Sequence, residues 1–361
     1  MPGSPPPPLT IRELAKLAGV SRSTASLAMQ NHPRLTQKTR DHVRKIAAEH
    51  GYTPDPLTST LMSHLRISRK NRGTETLAYL TAWNSSEGWR VSYNHQAMFE
   101  GARARAEAMG YRLEHFWARE PGMSGARLSK ILYTRAIRGV IIAPLLRPRG
   151  HLSLDWSHLA TAAIAFTTVK PDLHRATHSH YNGMMMALRR LKHLGYQRIG
   201  LANLSDQMER VNNGWLAGYL VYDQSIPSKR QVPPLLLKSW DKKHFAAWME
   251  IYRPDAIVSN HLDPLNFVKE LGYSVPDEIG FARLDLAMVE VKVAGIDQEP
   301  HLVAAAAVDL VIEQLHQNEF GLPARPKVVH LDGIWKDGET VRRPAVNQAD
   351  SFGLSTDPSL A

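Results

Sequence analysis

The sequence predicts two parts of different class: a small all-α head built on a helix-turn-helix and continued by a hinge helix, and a larger α/β body of two lobes with parallel sheets. Three observations lead there. Short, well-capped helical patterns fill residues 10 to 50; apolar runs alternate with helical patterns from Thr76 onward; and the same rhythm restarts near Gly183. At 361 residues and 43% hydrophobic, the chain is too long for one ordinary domain and has material for a large core.

Thr10 followed by Glu13 is a capping box, so a helix begins at Ile11, with Leu14, Ala15, Leu17 and Ala18 at helical spacing and Gly19 permitting the turn. Ser21 caps a second helix from Arg22 to about Gln30, in which Ala25 and Ala28 are small enough for close packing. Thr36 caps a third, running to about His50 and ended by Gly51. The second helix should enter a major groove and present Ser21, Arg22, Ser23, Thr24, Ser26 and Leu27. Arg22 suits guanine, the serines suit bases or phosphates, and Leu27 offers only an apolar contact, such as with a thymine methyl. Pro54 and Pro56 then hold the chain extended, and Leu57, Leu61 and Leu65 recur every four residues, as in a short amphipathic helix.

In the body, Leu77 to Thr81 is the first strand, followed by a helix from Tyr93 to Met109 and a strand from Tyr111 to Trp117. A helix from Ser124 to Thr134 and strands at Gly139–Pro144 and Ala162–Phe166 complete the first block. The second block has helices at Gly183–Leu194, Trp215–Tyr222 and Lys243–Tyr252, with strands at Ile199–Leu201, Leu235–Leu237 and Ala256–Ser259. His174, His178 and His180 lie between the blocks; with no neighbouring carboxylate they read as a surface or crossover loop rather than a metal site.

Residues 1 to 72 hold twelve Lys and Arg against four Asp and Glu, eight of the ten net positive charges of the whole chain. A basic module on a nearly neutral body is the footprint of a nucleic-acid-binding head, although charge alone fits a solvated face equally well. There are no cysteines, so disulfides and thiolate metal sites are excluded. A basic segment with an apolar run is missing at the start, and no run of about 18 apolar residues exists, so a soluble cytoplasmic protein without membrane partner is expected. Nucleophile elbows, Walker loops and dinucleotide-binding glycine turns are absent, which disfavours an enzyme, and no cofactor is expected.

The run from Thr10 to Ser26, with Thr36-Gln37-Lys38-Thr39-Arg40 and Gly51-Tyr52-Thr53-Pro54, resembles the opening of the lactose-repressor/galactose-repressor (LacI/GalR) family. The resemblance implies a DNA-binding set of Thr10, Ser21, Arg22, Ser23, Thr24, Ser26, Leu27, Lys38, Thr39, Arg40 and Tyr52. It also implies a hinge that pairs with its dimer mate and wedges Leu61 into the minor groove. An ordinary linker helix with Leu61 in a core is the alternative. The family often carries Arg at the place of Leu27, so base preferences do not carry over there, and Asp55 and Thr58 replace its usual Asn and Ala. The phrases Gly101-Ala102-Arg103, Leu194-Gly195-Tyr196 and Val275-Pro276-Asp277 are similar to the family's periplasmic-binding-protein-like effector domain.

The resemblance divides the chain into a Pro-rich disordered leader (1–8), the head (9–54), hinge and linker (55–72), an effector-binding and dimerisation domain (73–341, lobes meeting near 178 and 296) and a disordered tail (342–361). Residues from Leu302 to Asn318 should return to the first lobe. For the effector it points to Trp83, Asn84 and Trp89 after the first strand, then to Asp285 and Gln298. A ligand arginine of the family is Trp215 here, with Arg210 and Asn213 nearby as substitutes. A mobile polar loop is the alternative for the first three, and a packed core for Trp215. The function implied is a transcription regulator, a repressor, that binds a palindromic double-stranded operator as a homodimer under control of a small carbohydrate-like effector. Its rivals are a solute-binding or sensor protein with weak DNA binding, which would lack the basic head, and an architectural DNA protein, which would not need two lobes.

Overall fold

The computed structural model describes residues 9–29, 31–32, 34–52, 75–286 and 292–343. The leader, the hinge with Leu61, and the tail beyond Arg343 lie outside the described residues.

Three helices form the head: α1 (Ile11–Leu17), α2 (Arg22–Met29) and α3 (Gln37–Glu49). Each starts where a side chain can satisfy the first free backbone N–H groups. The Thr10 amide donates to Glu13 Oε2 at 2.7 Å and the Glu13 amide to Thr10 Oγ1 at 3.4 Å. Those bonds from Thr10 hold the exposed Glu13 carboxyl below its ordinary range. Thr24 and Thr39 donate their amides to Ser21 and Thr36 in the same way. The helices close on Leu14, Ala15, Ala18, Ala25, Ala28, Val43 and Ala47, and Gly19 takes the left-handed backbone that the turn requires.

The body contains β1 (Thr76–Thr81), α4 (Tyr93–Ala108), β2 (Arg112–Trp117), α5 (Gly125–Thr134), β3 (Gly139–Ile142), β4 (Gly150–His151), β5 (Ala160–Ile164), β6 (Thr168–Lys170) and β7 (His174–His178) in its first stretch. The second stretch has α6 (His180–His193), β8 (Ile199–Leu204), α7 (Ser205–Arg210), α8 (Gly214–Gln224), β9 (Leu235–Leu237), α9 (Lys242–Tyr252), β10 (Ala256–Ser259), α10 (Asp263–Glu270), β11 (Gly280–Arg283) and β12 (Ala294–Asp297). Then follow α11 (Pro300–Gln317), β13 (Val328–Leu331) and β14 (Ile334–Lys336).

Two six-stranded sheets result. The first runs β13-β7-β5-β3-β1-β2 and is parallel throughout; the second runs β14-β12-β11-β10-β8-β9, parallel except for β14 against β12. The chain crosses between lobes three times, after β7, after β12 and between β13 and β14. These crossovers touch: a Cβ on Gly333 would fall 2.5 Å from the Asp297 carbonyl and 2.8 Å from the His178 ring. Helix α11 packs on the first sheet, with Val303, Ala304, Ala307, Val308 and Val311 in that lobe's core. Buried Gln314 donates to Thr161 O and accepts from Thr161 N, fixing the helix against β5. At the crossing of α4 and α11, Gly101 lets two backbones meet, because any Cβ there would lie 2.2 Å from His301 O.

The histidine segment departs from expectation. His174 to His178 is a buried strand inside the first sheet and His180 opens α6 behind it, so the crossover between lobes is reduced to Ser179 and the histidines are not on a loop. Two of its polar residues are satisfied by partners outside the strand: Lys327 N donates to His174 Nδ1, and the buried Arg175 guanidinium donates to Ala165 O, Thr168 O and Asp172.

Candidate DNA-binding face and interlobe cleft

On α2 the buried alanines 25 and 28 define the inner side, and the 3.6-residue period then turns Ser23, Ser26 and Leu27 outward, with Arg22 at the edge. Ser21, Arg22, Ser23 and Lys38 are exposed; Thr24, Ser26, Leu27, Thr39, Arg40 and Tyr52 are half-buried. Several predicted contacts already have work inside the head. Thr10 is held in the capping box; Ser21 Oγ is shared with Ser23 and Thr24 at 2.8 Å; Thr39 pairs with Thr36. Arg40 donates to the carbonyls of His32 and Leu35 and to Gln37, which ties the loop before α3 down, and Tyr52 packs on the head's core. Arg22 and Lys38 make no hydrogen bond or ion pair among the described residues.

Both lobes place their first strand beside a strand reached by crossing over, β1 next to β3 and β8 next to β10. Open α/β sheets bind ligands outside the carboxyl ends of strands at that switch. Side chains from the two lobes meet there. Asn94 Nδ2 at the start of α4 donates to Asp285 Oδ1 at 2.8 Å, and Arg210 Nη1 at the end of α7 donates to the carbonyls of Leu145 and Leu146 at 3.1 and 2.8 Å. Burial raises the Asp285 carboxyl above its ordinary range, against the pull of Arg283 and Asn94, and lowers the Arg210 guanidinium. Gln298 is half-buried and donates to Leu284 O at 2.9 Å.

The predicted effector residues divide. Trp83 is half-buried with its ring edge-on to His95 at 5.0 Å. Asn84 is exposed and accepts from Arg119. Trp89 does not face the cleft: it is buried in the first lobe's core on Tyr79 and Phe99. Trp215 is likewise core, packed edge-on to His180 at 5.1 Å, because the first turn of α8 is pressed against α6. Asn213 is exposed at the left-handed turn that leads into α8, a conformation asparagine tolerates.

The structure adds residues that the sequence reading did not single out. His95, pushed down to about 4 by burial and then by the Arg210 charge, is neutral, and neither of its ring nitrogens has a partner. Asn203 Nδ2 near the end of β8, Asn260 Oδ1 after β10 and Arg283 Nε at the end of β11 are also buried and unpartnered within the protein. Burial holds His261 below its ordinary value, and Trp240 stands edge-on to it at 5.7 Å. Apart from His95, which lies in the first turn of α4, their common signal is position: polar residues at or just after the carboxyl ends of apolar strands. The arrangement offers neutral donors and acceptors, indole faces and one free guanidinium N–H of Arg283, with Arg210 and Asp285 already hydrogen-bonded across the lobes.

Residues 10–55 match the family model described as bacterial regulatory proteins, lacI family. The HTH-type transcriptional regulator TreR of Salmonella typhimurium is 37% identical over 46 residues, 13% of this chain and 15% of that protein. The NTD biosynthesis operon regulator NtdR of Bacillus subtilis is 39% identical over 69 residues, 19% and 18% of the two chains. These matches thus span less than a fifth of the curated relatives' length. Among solved structures, a lac repressor dimer bound to operator and the anti-inducer ONPF aligns over 93% of this chain and 100% of its own, with TM-score 0.54 and 18% identity. A complex of the transcriptional regulator CelR with cellobiose aligns over 92% and 99%, with TM-score 0.52 and 17% identity. The head of this chain, residues 10–55, is thus similar to the helix-turn-helix of the lacI family of bacterial regulatory proteins, and the two-lobed body behind it shares the fold of the solved lac repressor and CelR structures.

Proposed function

We propose that the protein is a cytoplasmic repressor that binds a palindromic operator as a homodimer and is controlled by a small, neutral, polyhydroxylated molecule, a sugar or sugar derivative, held between its lobes. The observation that carries the ligand class is the set of unpartnered polar atoms on His95, which stands against Trp83 at the start of α4, and on Asn203, Asn260 and Arg283 at the strand ends of the second lobe. Buried donors and acceptors ordinarily have partners, and a hydroxyl can serve either kind. Neutral histidines favour a neutral ligand over an ion. Cellobiose in the CelR complex supports the same class. Because Trp215 is core, Arg210 and Arg283 are the cationic groups this chain brings to the cleft, and Asp285 and Gln298 supply acceptor and amide. No reaction is assigned: regulators of the lacI family are transcription factors rather than enzymes. Among the described residues no helix is long and apolar enough to cross a membrane.

In this reading Arg22, Ser23 and Leu27 face the bases while Lys38 meets phosphate, and the hinge leucine Leu61 docks in the minor groove. Lobe closure on the effector changes head spacing. Such coupling is reciprocal, so operator must change effector affinity by the same factor. Selection of sites from random duplex DNA at two salt concentrations tests the DNA half, since phosphate contacts make affinity fall with salt. One palindromic motif is the expected product. A panel of neutral sugars titrated against that site tests the effector half, and a sugar that binds tightly while leaving operator affinity untouched contradicts the coupling.

A further inference from the structure

We infer that the joint between the two lobes is an acid-sensitive lock: a proton taken up by the pair His178 and His180 loosens the crossings on which lobe closure turns. The inference rests on the joint alone, and on neither the operator nor the effector assigned above. The three crossings converge on one ring. His178 ends β7 at the first crossing, and a Cβ on Gly183, in the first turn of α6, would stand 2.6 Å from its Nε2. On the other side a Cβ on Gly333, in the third crossing, would stand 2.8 Å from the ring and 2.5 Å from the carbonyl of Asp297, where the second crossing starts. The imidazole is clamped between two backbones that only glycine brings so near. Beyond Ser179 the His180 ring stands edge-on to His178 at 5.2 Å and to Trp215 at 5.1 Å, so the pair also holds the first turn of α8. Ser179 N donates to Leu331 O at 2.7 Å and Asn182 Nδ2 to Asp332 Oδ1 at 2.9 Å, which ties the first crossing to the third.

This setting accepts the neutral rings only. Both nitrogens of His178 are buried with no hydrogen-bond partner among the described residues. A protonated imidazole presents two N–H donors and a charge, and burying both without acceptors is costly. Few charged groups face the pair. Asp332 from the third crossing and Asp297 from the second favour a charge on His178, His330 on β13 opposes one on either ring, and Gly214 and Trp215 of α8 carry none. The two carboxylates already accept from Asn182 and from the Glu299 amide. Burial outweighs them, pushing His178 down to about 4 and, with the His178 charge beside it, His180 well below its ordinary value. Parting the crossings exposes the rings to water and restores the ordinary 6.5. A histidine depressed in the closed joint stabilises closure fully above pH 6.5 and loses that contribution as pH falls toward 4. Because the first ring to charge opposes the second, one proton enters, and the open fraction of the joint should rise about twentyfold between about pH 7 and pH 5.

Native-state hydrogen exchange of the full chain, read by mass spectrometry at these two pH values and corrected for the intrinsic rate, tests this. Peptides covering 177–183, 296–301 and 330–335 should show the twentyfold rise, while those of the central strands β1 and β10 stay protected. In a variant with His178→Phe and His180→Phe, which keeps a ring at each place and can take no proton there, the rise should vanish. Joint peptides no more open at the lower pH overturn the inference. So does opening of β1 and β10 in step with the joint, which marks ordinary acid unfolding, and so does a rise that survives in the folded variant. Should the variant fail to fold, the unmodified protein still decides through the His178 ring signals in NMR. A midpoint near 6.5 overturns the lock, and one well below it, with opening confined to the joint, sustains it.

Discussion

Replacing Arg210 by Met keeps most of the side-chain volume and removes the guanidinium that ties the second lobe to the carbonyls of Leu145 and Leu146 in the first. Hydrogen bonds from charged donors contribute about 1.5–3 kcal/mol each when fully desolvated. Arg210 is half-buried, and burial already disfavours its charge, so the two together should contribute only about 1–2 kcal/mol to closure. At 1.4 kcal/mol per decade, the ratio of closed to open lobes should fall roughly tenfold. Small-angle X-ray scattering of the ligand-free protein should report a larger radius of gyration. A second readout is independent of shape. His95 is held at about 4 first by burial and then by the Arg210 charge, so in Arg210→Met its pKa should rise yet stay below the ordinary 6.5. Unchanged scattering together with an unchanged His95 titration by NMR would refute the view that Arg210 links the lobes.

Three further expectations follow from the same geometry. His95 binds its proton more weakly folded than unfolded, so its contribution is full above pH 6.5 and is lost as pH falls toward 4. Between pH 6.5 and 5 that amounts to about 2 kcal/mol, and urea midpoints should drop over this range less steeply in His95→Leu than in the unmodified protein. Gly101→Ala would drive a methyl into the His301 backbone, where no flexible side chain can yield, and should cost about 1–3 kcal/mol, seen as a lower Tm. Arg22→Ala should cost about 1–3 kcal/mol and relax base choice at one position, while Lys38→Ala should weaken all sequences alike and flatten the salt dependence; equal losses for both on operator and random duplex would contradict their assignment.

The head was legible because its determinants are local. Thr10 with Glu13, Ser21 and Thr36 mark three helix starts within the segment they cap, and the helices begin one residue after each cap. Apolar strands such as Gly139–Ile142 and Ala256–Ser259 announced themselves by burial on both faces. Strand β7 did not, since His174 becomes tolerable inside through Lys327, distant in sequence, and Arg175 through the folding back of residues 165–172 onto it, neither of which a local pattern carries. Helices α7 and α10, of six and eight residues, are too short to show a clear period. In the cleft, Asp285 and Arg210 were found beside partners supplied by the other lobe. Trp89 and Trp215 were not where proximity to a strand end suggested, because an indole beside a sheet gains more from burial than from facing water. Convergence of His95 with Arg210 across 115 positions of sequence is a tertiary fact that no local pattern carries.

The interleaving of α11 and β13 with the first lobe and of β14 with the second has a consequence for how the molecule is made. During synthesis the first lobe waits, its sheet uncovered on the α11 side, until the roughly 120 residues between β7 and α11 have emerged. A nascent chain therefore carries exposed apolar surface while the whole second-lobe stretch is being made, and holding chaperones have a natural client in it. For the same reason no single cut yields two independent halves. A stop codon just after β12 removes the helix and the edge strand that finish the first lobe as well as the strand that finishes the second, so one lesion near the end of the gene unfolds both.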